Sequence, residues 1–408
     1  MKLEALHIPR VLRGFESAAA EVFDVRIEGA HVADIVASPV QRARGMLISA
    51  PVDAHVHIDK AFSVREVGAA NGDLFTAIDR TARHRAQWRA EEIEQRMERA
   101  VREAWRCGTR AMRTHLDWPD AEPPVALQCF ERVRERWHGR VTLQFVALTP
   151  LDVFADARAA RRIAAAVRQA GGVLGAFVYR NEGIVHKLGH VFDLAQEFGL
   201  ALDFHVDEGL DADATGLRAI AQLALARGLA RPITCGHACS LSVQDAVQAR
   251  DTLRLCAEAG IALVALPTTN LYLQGAWDET PLPRGITRIR EAAAAGLRAC
   301  LATDNVQDAF YPYGSHDLLQ VFGLGVQMAH LAPATDWLDA ITVSPARALE
   351  LDWSGHIAPG CPADLVRLAA ADEHDLLHAG GLQRTVIRDG RPLRQDEQQV
   401  EQYEETAT

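Results

Sequence analysis

The chain has 408 residues, of which 49% are hydrophobic and 24% charged, with a formal net charge of -11. These are ordinary globular values, and the length calls for one large domain plus a smaller one. Acidic and basic residues are interleaved, so there is no basic face of the kind a nucleic-acid partner needs. No stretch approaches the roughly 18 uninterrupted apolar residues of a membrane helix, and Met1 opens no basic and apolar leader. The expectation is a cytoplasmic protein acting on a small molecule, without a nucleic-acid or membrane partner; a homo-oligomer is left open.

The first 38 residues contain a strand-like piece at 22–27, and similar pieces recur at 364–368 and 385–388, the last followed by an Asp389-Gly390 turn. Both termini therefore predict one small β-sandwich domain, residues 1–47 with 352–408. The Gln- and Glu-rich tail after Arg394 is expected to be frayed.

Between them lies the expected barrel domain, residues 48–351, and from Met46 to Asn305 short β-branched runs alternate with longer helical patterns. The runs fall at 46–57, 109–118, 141–150, 172–180, 201–208, 232–239, 262–270 and 298–305. Glycines close several of the intervening helices, at Gly108, Gly171 and Gly296. Eight βα repeats predict a closed α/β barrel, a (β/α)8 fold of the TIM type.

The first run carries His55 and His57, two apart and hence on one face of a strand. His205 ends the fifth run with Glu208 just beyond it, His237 lies in the sixth and Asp304 ends the eighth. In such a barrel the C-terminal strand ends converge on one mouth, so separate segments bring four histidines and two acids together. Imidazole and carboxylate suit a borderline divalent metal such as zinc or iron. Cys235 and Cys239 flank His237 but lack a second cysteine pair, and the seven cysteines read as reduced thiols. His115 is expected to satisfy neighbouring polar groups, Asp117 to support the site indirectly, and His186 and His190 to take a solvated or capping role rather than bind metal. The Arg-rich stretch 83–106 reads as an outer, solvated face.

The strings H-V-H-I-D-K at 55–60, R-T-H-L-D at 113–117, H-V-D-E at 205–208, T-D-N-V-Q-D-A-F-Y-P-Y-G at 303–314 and I-A-P-G-C-P-A-D-L-V at 357–366 resemble the amidohydrolase superfamily. They are most similar to its cytosine deaminase and N-isopropylammelide hydrolase group. The resemblance implies a single divalent ion, zinc or iron, on His55, His57, His205 and Asp304, with Glu208 as proton shuttle, His237 as polarising group and Asp304 also taking part in catalysis. No lysine ends the fourth run, where dinuclear members carry a bridging carbamate; it closes on Tyr179 and Arg180. Where cytosine deaminase has Pro-Gln-Glu-Gly, this chain has Thr149-Pro150-Leu151-Asp152; Asn305 replaces an acid and Phe310 a tryptophan. Those departures argue against cytosine itself, and they make Lys60, Thr149, Asn305 and Phe310 the candidate substrate contacts. The implied activity is hydrolytic deamination of a small nitrogen heterocycle, the alternatives being ring opening of a cyclic amide or imide and a catalytically silent, metal-stabilised binding protein.

Overall fold

A computed structural model of the chain describes residues 1–17, 20–70, 74–378 and 383–393; the tail expected to fray lies outside them. Strands β1 (Lys2–His7), β2 (Val22–Glu28), β3 (His31–Ala37) and β4 (Gly45–Ser49) come first. The parallel strands β5 (Val52–Val56), β6 (Ala111–Asp117), β7 (Thr142–Pro150), β8 (Val173–Val178), β9 (Leu202–Val206), β10 (Ile233–His237), β11 (Ala262–Ala265) and β12 (Arg298–Leu301) follow, and β13 (Leu365–Leu368), β14 (Arg384–Arg388) and β15 (Arg391–Pro392) complete the set.

The eight parallel strands run in sequence order from β5 to β12. Closure falls just past β12, where the Asp304 N–H donates to the His55 carbonyl at 2.9 Å and the His57 N–H to the Asp304 carbonyl at 3.3 Å. Burial of the strands on both faces explains their unbroken apolar runs. Their outer faces pack against helices such as Ala157–Ala170, whose first turn is capped by the Asp156 carboxylate and whose end is turned by Gly171 at φ 67°.

The termini supply a second sheet of seven strands, in the order β15-β14-β13-β4-β1-β2-β3. Its core includes Leu6, Val25, Leu47, Leu365 and Ile387. The expected Asp389-Gly390 turn joins β14 to β15, both residues at positive φ.

Two expectations need correcting. The run 46–57 is not one strand: Gly45–Ser49 pairs with β13 in the terminal sheet, and Val52–Val56 opens the barrel. Pro51, which has no N–H to donate, sits at the break. The run 262–270 is strand only to Ala265, and Pro267–Leu273 is a helix with proline in its first turn. No helix among the described residues is long and apolar enough to cross a membrane.

Candidate active site

His55 is carried by β5, with His57 directly after that strand; β9 carries His205 and β10 ends on His237. Asp304 follows β12. His237 and Asp304 have φ of 68° and 60°, a left-handed backbone that re-aims each side chain as its strand ends. The ligand atoms of His55, His57 and His205 lie within 4.8 Å of one another, as do those of His55, His237 and Asp304. His55 Nε2 and His57 Nε2 are 3.5 and 3.3 Å from Asp304 Oδ1, and the Nε2 atoms of His57 and His205 are 3.2 Å apart.

A cluster this tight and this buried leaves polar atoms unpaired. Both ring nitrogens of His55, Nδ1 of His205, Nε2 of His237 and both carboxylate oxygens of Asp304 have no hydrogen-bond partner among the described residues. Orphaned buried polar atoms are costly, so a convergent group of them fits a cation they would hold. Burial, reinforced by the neighbouring rings, holds His55 and His205 well below the usual imidazole range, and burial with Lys60 does the same to His57. All three are therefore neutral, the form that binds metal. The tautomer of His57 is set by its Nδ1–H, which donates to the His115 carbonyl at 3.2 Å and leaves the Nε2 lone pair facing the cluster.

Gly236 makes room for this arrangement. A Cβ there would lie 2.8 Å from Cε1 and Nδ1 of His55. Gly236→Ala is expected to push the His55 ring aside and weaken metal binding by about tenfold or more, measured by competition with a chromophoric chelator. Unchanged affinity would show that His55 is free to shift.

Glu208 stands past β9 in a turn anchored by Asp207, whose carboxylate accepts from the Gly216 and Leu217 N–H groups at 3.1 and 2.9 Å. Burial, with Asp304 nearby, drives the Glu208 carboxyl well above the ordinary range, and burial lowers His237 to about 4. Glu208 Oε1 lies 3.3 Å from His237 Nδ1. His237 Nδ1 accepts from the Asn270 amide at 3.1 Å, which leaves Nε2–H to donate.

A cavity of about 150 Å³ opens onto His57, His205, Glu208 and His237. Lys60, Asn305 and Phe310 line it as well. Lys60 is buried, 2.8 Å from Asp117 Oδ1, with its ammonium 5.4 Å from the centre of the Phe310 ring. Burial alone would lower its pKa, but the carboxylates of Asp117 and Asp59 outweigh that and hold it above the ordinary value. Thr149 does not line the cavity: Leu148 and Pro150 do, and strand alternation turns Thr149 the other way, its hydroxyl 3.5 Å from the Ala147 carbonyl.

Other neighbours were not singled out by the sequence. Arg85 was read with a solvated face, yet it donates to Asp117 at 2.7 Å and lines the cavity. Asp308 accepts from Asn305 Nδ2 at 2.6 Å and from the Phe310 and Tyr311 N–H groups at 2.9 and 3.0 Å, an Asx turn that the D-A-F-Y spacing could have revealed. His115 is held by Asp203 at 3.3 Å, itself paired with Arg113 at 3.0 Å. Cys235 and Cys239 join no candidate metal cluster among the described residues.

Comparison with known proteins gives the family. The amidohydrolase family model matches residues 86–394. A pterin deaminase of Rhizobium rhizogenes is 38% identical over 352 residues, covering 86% of this chain and 80% of the relative. An N-isopropylammelide isopropyl amidohydrolase of Pseudomonas sp. strain ADP is 23% identical over 367 residues, covering 87% and 88%. Among solved structures, 5-methylcytosine deaminase of Klebsiella pneumoniae with bound 5-fluorocytosine superposes with a TM-score of 0.84 at 26% identity, covering 97% of both chains. The chain accordingly belongs to the amidohydrolase family of metal-dependent hydrolases and is a hydrolytic deaminase acting on C–N bonds other than peptide bonds.

Proposed function

We propose that this enzyme removes the exocyclic amino group of a pterin, a fused aminopyrimidinone, and releases ammonia. The observation that carries the chemistry is the Glu208 carboxyl opening onto the cavity next to His205 and His237, with the buried Asp304 carboxylate, unpartnered among the described residues, in the ligand cluster behind them. Two carboxyls whose environments differ divide acid and base roles between them. The choice of ring rests on the 38% identical pterin deaminase and on the absence of a side chain at Thr149 able to read a cytosine amide edge.

In this reading His55, His57, His205 and Asp304 hold one divalent cation, zinc or iron. When bound, the cation supplies Lewis acidity that brings the pKa of a water from 15.7 towards about 7. Asp304 takes a proton from the attacking water as its oxygen adds to the amino-bearing ring carbon. Glu208 protonates the adjacent ring nitrogen, and His237 donates through Nε2–H to the oxygen that gathers charge. The proton on Asp304 then goes to the amino nitrogen, the hydroxyl proton of the tetrahedral intermediate returns to Glu208, the C–N bond breaks, and ammonia leaves behind a ring carbonyl. Lys60 and Asn305 hold the polar edge of the ring while Phe310 covers its face.

Ammonia release from pterins, triazines, cytosine and cyclic amides tests this. Pterin is expected to lead, with cytosine at least about 100-fold lower in kcat/KM, the scale on which lost polar contacts discriminate. Cytosine turnover equal to that of pterin, or ring-opened carboxylate without ammonia, would overturn the assignment.

A further inference from the structure

The helix Leu74–Arg85 turns one face to the cavity, through Leu74, Ile78, Thr81, Ala82 and Arg85. Their spacing of four, three, one and three residues is that of a single helical stripe. Phe75, Thr76 and Asp79, off this stripe, are exposed. Apart from the pairing of Arg85 with Asp117, the stripe brings no charge to the cavity, and Leu74 belongs to a small apolar cluster against which Ile78, Phe177 and Phe310 pack.

The lining residues also give the cavity a direction. His205, Glu208, His237 and Asn305 are buried and mark the closed end. Ala82, Pro119 and Pro150 line the same cavity yet are exposed, so they mark its mouth. Ile78 lies one helical turn in from Ala82, between the two ends. A flat ring reacting at the closed end projects its remaining atoms outward along this apolar stripe.

We propose that Ile78 and Ala82 are specificity-determining residues: they form the wall of a slot for the second ring of the substrate and select two-ring over one-ring aminopyrimidinones. This rests on the deaminase reading above. The small side chain of Ala82 keeps the mouth wide enough for that ring, and Ile78 supplies the apolar surface that covers it. Such contacts discriminate through burial of a ring rather than through hydrogen bonds.

Isocytosine is the discriminating probe, because it carries the same amino-bearing edge as pterin without the second ring. In the parent enzyme pterin is expected to exceed isocytosine in kcat/KM by about 10–200-fold. Ile78→Trp fills the slot and is expected to cut kcat/KM for pterin at least about tenfold while changing isocytosine by less than about threefold. Ala82→Trp, at an exposed position that leaves the fold undisturbed, is expected to act in the same direction. Metal content and thermal melting are measured on both variants. Equal losses for the two substrates with metal retained, or an unchanged ratio in both variants, would overturn the slot assignment. A parent enzyme that releases ammonia from neither compound would instead contradict the pterin reading, so the two failures are distinct.

Discussion

Replacing Glu208 with Gln is expected to leave the metal in place and to reduce turnover by about 10²–10⁴-fold, the usual contribution of a positioned acid or base. The substitution keeps the size of the side chain and a polar group facing His237 Nδ1, which lies 3.3 Å from Glu208 Oε1. What it removes is a transferable proton. Burial and the neighbouring Asp304 raise the Glu208 carboxyl well above its ordinary range, which favours the protonated form. β9 ends at Val206, and the turn anchored by Asp207 presents Glu208 to the cavity outside the tight groups of ligand atoms. If the variant turns over near the parent rate, the proton travels by another route. If it loses metal, Glu208 belongs to the ligand set. Metal analysis and single-turnover rates on the same preparation separate these outcomes.

His55→Ala and Asp304→Ala are each expected to lose most of the bound metal and all measurable ammonia release. Both side chains are fully buried, and both carry polar atoms without partners among the described residues. Truncation therefore leaves a small cavity but also deletes a desolvated polar group, and these effects on stability oppose each other. A folded, metal-poor protein is the expected product, which thermal melting verifies. Full occupancy in both variants would remove them from the ligand set. Retained metal in one alone would mean that the remaining three groups suffice.

Much of this site was legible because strand alternation and barrel topology act over short distances in sequence. His55 and His57 share a face by spacing, and the ends of β9, β10 and β12 must meet once the barrel closes. What sequence could not supply is set by tertiary packing. Nothing in the Arg-rich pattern around residue 85 separates Arg85, paired with Asp117 at 2.7 Å, from its exposed neighbour Arg83. The helix Leu74–Arg85 reads as an ordinary amphipathic segment, and only the folded chain shows that its apolar stripe covers a cavity rather than core alone. Thr149 does not line the cavity, since similarity marks a position, whereas the pleat of β7 decides which face it takes. The break at Pro51 was visible in principle, but a continuous apolar run on either side of it masks a change of sheet.

The most direct test of the central claim is metal stoichiometry measured together with ammonia release from pterin, before chelation, after it, and on stepwise return of zinc or iron. The expected result is one divalent ion per chain, loss of ammonia release on its removal, and recovery in proportion to occupancy up to one equivalent. Two ions per chain at full activity, or ammonia release that survives complete removal of metal, would contradict a single-ion site on His55, His57, His205 and Asp304.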